Sequence, residues 1–87
     1  MLKILEDLIL LARDRRQNPV GDSYTNQLLE NKTLIKDKIL EEINELIEAV
    51  ETDTNKVHEA ADVFYHLLIY LESNNIKIED IMLELER

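Results

Sequence analysis

Four acids recur in two pairs with the same internal spacing, Glu42-x-x-Glu45 and Glu59-x-x-Asp62. Residues three apart share a face of an α-helix, so each pair can aim two carboxylates to one side. If the two helices lie next to each other, four negative charges meet in one small volume. Leaving a buried charge unpaired costs on the order of several kcal/mol, so the cluster needs a basic partner, protonation or a cation. An all-oxygen ligand set selects a hard ion, and a site that also handles phosphates most often uses Mg²⁺, with Mn²⁺ as a substitute. The same spacing also fits a plain exposed acidic face of a packing bundle.

Other metal chemistries fit less well. "HEAAD", His58 to Asp62, imitates the zinc motif H-E-x-x-H but lacks its second His, and only His58 and His66 are present to offer nitrogen. "ETDTNKVHEAAD" has calcium-loop-like acids, but Lys56 stands where that loop needs Gly. A di-iron bundle needs two Glu-x-x-His pairs, and both pairs here end in a carboxylate.

The acids must be held by helices. With 87 residues, 45% hydrophobic, one Gly, one Pro and no Cys, the chain reads as a single all-α domain over residues 1–87 with no disulfide framework. Helical periodicity runs from Leu2 to Arg16 and stops before "QNPVGDS", the one real loop. Ser23 is placed to cap a short helix through Leu28 and Leu29, and Thr33 to cap one reaching Glu51. "TDTN" makes a turn, Asp53 or Thr54 caps the helix that ends near "SNN", and a last amphipathic helix begins about Ile78. The expected architecture is four to five helices in an antiparallel bundle completed by dimerisation.

On helical wheels, Ile35, Ile39, Ile43, Leu46, Ile47 and Val50 form one apolar arc, with Glu42 at its edge and Glu41 toward solvent. In the following helix Val57, Ala61, Phe64, Leu68 and Leu71 alternate at spacings of four and three, the pattern of a packing seam. Glu59, Asp62 and His66 lie opposite that seam, flanked by Val63, Ile69 and Tyr70. The helix is therefore apolar almost all round, which predicts burial on both sides. One short chain cannot easily cover both, so a homodimer or higher homo-oligomer is expected.

Charge limits the partners. With 19 acids against 10 Lys and Arg, the net charge is −9, a field that repels nucleic acid, and no basic patch is segregated. No run of apolar residues is long enough for a membrane span, and the N-terminal stretch carries acids unlike a signal peptide, so a cytoplasmic protein is expected. Its cations fall in two short clusters, Arg13, Arg15 and Arg16, then Lys32, Lys36 and Lys38, each readable as a solvated face or as a site for a small anion.

"EEINE", Glu41 to Glu45, followed after 13 residues by "EAAD", Glu59 to Asp62, resembles the E-E-x-x-E and E-x-x-D signature of the all-α nucleoside triphosphate pyrophosphohydrolases, the MazG-like superfamily. More specifically, "NPVGDSYTNQLL", "EEINELIEAV", "EAADVFYHLLIYL" and "IKIEDIMLELER" resemble, in order and spacing, the phosphoribosyl-ATP pyrophosphohydrolases of histidine biosynthesis. The resemblance covers nearly the whole chain. It implies a helical fold, dimeric or larger, and Mg²⁺-dependent hydrolysis of phosphoribosyl-ATP to phosphoribosyl-AMP and pyrophosphate. The alternatives are a house-cleaning pyrophosphohydrolase acting on a (d)NTP and a non-enzymatic helical oligomerisation module. Three positions depart from the family pattern: Leu40 and Asn31 stand where Gly is usual, and Leu34 where Lys is usual.

Carried onto this chain, the resemblance makes Glu42, Glu45, Glu59 and Asp62 metal ligands, with Glu41 an outer-shell acid or further ligand. Glu45 is the preferred general base, and Glu42 is its catalytic companion. Substrate contacts are expected from Ser23, Tyr24 and Thr25 of the loop motif, from His66, and from Arg16 and Lys38 as cations for the phosphates. Ser23 serves equally as an N-cap, Tyr24 as a packing residue, and His66 as a hydrogen-bonded core histidine.

Overall fold

The computed structural model describes residues 2–87. It contains five helices and, among the described residues, no strand: α1 (Lys3–Gln17), α2 (Tyr24–Glu30), α3 (Lys32–Thr52), α4 (Lys56–Ser73) and α5 (Ile78–Leu85). No helix among the described residues is long and apolar enough to cross a membrane.

The helix boundaries follow local chemistry. Ser23 caps α2 as expected, its hydroxyl accepting from the Asn26 amide at 3.3 Å. The cap of α3 is Asn31 rather than Thr33, because α2 ends on Asn31 and its side chain is already placed to accept from the Leu34 amide at 3.0 Å. Asn31 has φ −118, extended backbone that any residue adopts, so the family's Gly is not required there. The turn between α3 and α4 is also tighter than expected. Asp53 and Asn55 both take left-handed φ, 55 and 46, which polar Asp and Asn tolerate better than most residues. Asn55, not Asp53 or Thr54, is thus the flanking residue of α4, and it makes no side-chain cap.

This short turn makes α3 and α4 antiparallel, and their pairing is the most extensive in the molecule. Helices α1 and α2 both pack on α4, and α2 also touches α3. The apolar core is small: Ala12, Leu28, Leu29, Ile35 and Ile69, with Leu34, Tyr65 and Tyr70 against it. Leu34, at the family's Lys position, is thereby a packing residue. Six buried polar residues accompany six buried apolar ones, so much of the interior is held by hydrogen bonds. Asn26 shows how. Its amide donates to the Arg15 carbonyl at 2.7 Å and accepts from the Val20 amide at 2.9 Å, tying the 18–23 loop to α1.

The single chain covers only one side of α4 and leaves apolar stripes open. Of the α3 arc, Ile35 is buried, but Ile43, Ile47 and Val50 are exposed. On α4 it is the face bearing His66 and Ile69 that is buried, while Val57 is 85% and Phe64 54% exposed. Between α1, α4 and α5 lies an open apolar groove of about 830 Å³, lined by Leu5, Ile9, Phe64, Leu68, Ile81 and Met82 among others. The radius of gyration, 13.7 Å, exceeds the ~12 Å of a compact chain of this length, consistent with a molecule that leaves apolar faces open.

Candidate metal centre

The pairing of α3 with α4 brings carboxylates from both helices together. Glu42, Glu45 and Glu59 each place an oxygen within 4.8 Å of the other two. Glu42 is buried at 7% exposure, and Glu45 and Glu59 are half-buried. Glu59 lies in the first turn of α4, where the helix dipole favours a negative charge. That compensation is partial. Glu42 Oε2 and Glu59 Oε2 are both buried and, among the described residues, meet no hydrogen-bond donor.

The electrostatics follow. Burial pushes the Glu42 carboxyl up from its ordinary range, the Glu45 charge adds to this, and His66 opposes it. Burial and then Glu45 push Glu59 up likewise, with His58 opposing. Two acids that hold their protons more tightly than normal around a third form a charge pattern that a divalent cation relieves. An all-oxygen donor set with orphaned buried oxygens is a good match for such a hard ion.

Asp62 stands outside this trio. It is close enough to raise the proton affinity of Glu42 and Glu59, but its Oδ2 faces His58 Nε2 at 3.5 Å. Glu41 is exposed and takes the Lys38 ammonium at 3.3 Å, which places Lys38 one turn from Glu42.

The residues of the loop motif form a second layer. The His66 Nδ1 lies 2.7 Å from the Asp62 carbonyl, which can only accept, so Nδ1 carries the proton. In the neutral ring Nε2 then accepts from the Tyr24 hydroxyl at 3.1 Å. Tyr24 stacks on Tyr65 at 6.4 Å, and Tyr65 meets the edge of His66 at 5.0 Å. The Thr25 and Tyr65 hydroxyls share a hydrogen bond of 2.6 Å. Tyr65 was not singled out from the sequence, although its place beside His66 was a signal. Ser23 caps α2 and accepts from Arg15 at 2.8 Å.

Arg16 is directed elsewhere. It lies 3.3 Å from the Glu72 carboxylate, donates to the Glu72 carbonyl at 3.1 Å and bonds Asn75. Arg13 shares Glu72 at 3.7 Å and forms a forked pair with Glu79, whose carboxyl it holds down at about 2. These two arginines join α1 to the end of α4 and to α5, and the buried Glu72 between them has no counterpart in the sequence reading.

A short helical chain whose antiparallel pair converges three carboxylates near a lysine presents an acidic site of the class that could hold a cation. The phosphoribosyl-ATP pyrophosphohydrolase family model matches residues 5–87, and the chain belongs to that family. It is similar to the phosphoribosyl-ATP pyrophosphatase of Clostridium acetobutylicum, 41% identical over 98% of this chain and 80% of that protein. The protein of the same name from Bacillus mycoides is 38% identical over 99% of this chain and 83% of its own length. The histidine biosynthesis bifunctional protein HisIE of Caldanaerobacter subterraneus is 39% identical over 99% of this chain, which spans 43% of that longer protein. No solved structure matches the chain significantly.

Proposed function

We infer that this chain hydrolyses phosphoribosyl-ATP to phosphoribosyl-AMP and pyrophosphate, as a step in histidine biosynthesis, and that it does so with Mg²⁺. The observation that carries the reading is the pair of buried, donor-free oxygens of Glu42 and Glu59 on either side of Glu45, in a chain of this family. Glu42, Glu45 and Glu59 would hold the ion, with Asp62 the fourth ligand once it leaves His58. When bound, the ion neutralises phosphoanhydride charge and makes water a better nucleophile near neutral pH.

The chain's own groups do the rest. Glu45, central in the trio, takes the proton of the attacking water as general base, with Glu42 beside it. Glu41 acts as an outer carboxylate that holds Lys38, and the Lys38 ammonium meets a phosphate of the incoming nucleotide. No side-chain nucleophile is needed, because water itself attacks the phosphoanhydride, whose phosphorus–oxygen bond breaks to give phosphoribosyl-AMP and pyrophosphate.

The unit that works is an oligomer, most simply a dimer, of the single domain 1–87. Leu40, Ile43, Ile47 and Val50 on α3 and Val57 and Phe64 on α4 repeat at spacings of three, four or seven, and all are exposed in one chain. Two such pairs of helices packed together would make a four-helix bundle covering both stripes.

The test is pyrophosphate release from phosphoribosyl-ATP and from a panel of (d)NTPs, with and without Mg²⁺ or Mn²⁺. Metal-dependent release from phosphoribosyl-ATP well above every (d)NTP is expected. Faster turnover of a (d)NTP reassigns the substrate, and no release from any of them overturns the enzyme reading.

A further inference from the structure

The chain has four aromatic rings, Tyr24, Phe64, Tyr65 and Tyr70. Tyr65 and Tyr70 pack against the core, and Phe64 lines the apolar groove. Tyr24 alone is both exposed, at 45%, and near enough to the acidic cluster for its hydroxyl to feel the charges of Lys38, Glu42 and Glu41. It is also held still. The buried His66 accepts a hydrogen bond from its hydroxyl, and Tyr65 stacks on its ring. An exposed ring fixed from behind gives up little freedom on binding and serves as a ready platform for a planar ligand.

An adenine that carries a ribose on N1, as in phosphoribosyl-ATP, is a much stronger base than adenine itself and is positively charged near neutral pH. Such a ring is drawn to the face of a tyrosine and to a chain of net charge −9. We propose that Tyr24 is the platform for the cationic, N1-substituted adenine and selects it over plain adenine, and that His66 is the positioning residue that orients Tyr24. This rests on the substrate reading above and extends it to how the base is chosen.

The test separates charge from the extra ribose by comparing binding of 1-methyl-AMP, which is cationic, with AMP, which is not, using calorimetry on the full-length protein. Wild type is expected to prefer 1-methyl-AMP, and Tyr24→Leu to lose roughly tenfold of that preference. Tyr24→Trp keeps it. His66→Leu should lose a smaller part, His66→Gln should restore it because the amide oxygen can accept from Tyr24, and His66→Leu should add nothing to Tyr24→Phe. Melting curves for each variant identify any that fails to fold, and Tyr24→Gln, which likewise removes the ring, then stands in for Tyr24→Leu. Equal binding of the two nucleotides by wild type, or a preference that survives Tyr24→Leu, overturns the platform. If wild type releases pyrophosphate from phosphoribosyl-ATP in the same preparation, that failure leaves the functional reading standing. A wild type inactive on phosphoribosyl-ATP overturns both.

Discussion

The two faces of α4 invert the usual arrangement of a soluble helix. Its acid-bearing face, with Glu59, Asp62 and His66, turns inward against α2 and α3, while Val57 and Phe64 on the other face stay exposed. Burying the acids costs free energy and exposing the apolar seam forgoes it, so the single chain satisfies neither face. The two deficits call for different remedies. The inward face needs positive charge, which an ion and a nucleotide's cationic base can bring, and the outward face needs apolar cover, which a second chain can bring. Separate perturbations of the two faces should therefore give separate phenotypes.

The largest effect is expected on the inward face. Glu42→Gln, Glu59→Gln and Asp62→Asn should each lower kcat/KM for phosphoribosyl-ATP by roughly a hundredfold or more. In metal-free buffer the melting temperature should be unchanged or higher, because removing one charge relieves repulsion among the rest. Glu41→Gln should do less, since Glu41 is exposed and paired with Lys38. Pyrophosphate release and melting curves on the same samples check this. Unfolding of all three variants, with activity per folded molecule retained, would make the acids structural and erase the contrast between the faces.

On the outward face, Phe64→Asp should dissociate the oligomer without altering the carboxylate trio. Burying a phenylalanine is worth about 1.5–3 kcal/mol, and a two-fold interface counts it twice. Sedimentation at micromolar concentration should show wild type as a dimer or larger and the variant as a monomer of reduced stability. A wild-type monomer at that concentration would mean that the exposed stripes of α3 and α4 remain wet.

How far each face was legible differs for physical reasons. Helical periodicity is a local property, so the five helices and the Ser23 cap could be read directly. The seam on α4 was equally visible, but periodicity says only that an apolar stripe wants cover, and not which side this chain covers by itself. In the chain, α2 and α3 take the acid-bearing side because Ile69 and His66 fit the small core there. The caps at Asn31 and Asn55 were missed because several polar residues in a row can each cap, and the backbone angles that choose among them depend on where the helices meet. Contacts across long separations were out of reach altogether. The Tyr24 bond to His66 spans 42 residues and the Arg16 bond to Glu72 spans 56, and no spacing rule joins such pairs. Convergence of Glu45 with Glu59 was foreseeable because the turn between α3 and α4 is so short.

The smallest expected effect is in pH. Glu42 and Glu59 hold protons more tightly in the folded chain than at the ordinary carboxyl value of 4.5. Between those raised values and 4.5 the folded state binds more protons than the unfolded chain, so metal-free stability should rise as pH falls through that window. Glu79 has the opposite sign: Arg13 lowers it to about 2, so its contribution is present above 4.5 and is lost as pH falls from there toward 2. Metal-free melting temperature should therefore climb as pH falls from above the raised Glu42 and Glu59 values toward 4.5, and decline below 4.5. Glu42→Gln should flatten the climb, and Glu79→Gln should soften the decline. Millimolar Mg²⁺ should raise the curve most at the high-pH end, where protons compete least with the ion for the carboxylates. That would cancel or reverse the climb. A climb of the same size with Mg²⁺ present would show that the ion does not compete with protons for Glu42 and Glu59, and the inward face would then need another source of positive charge.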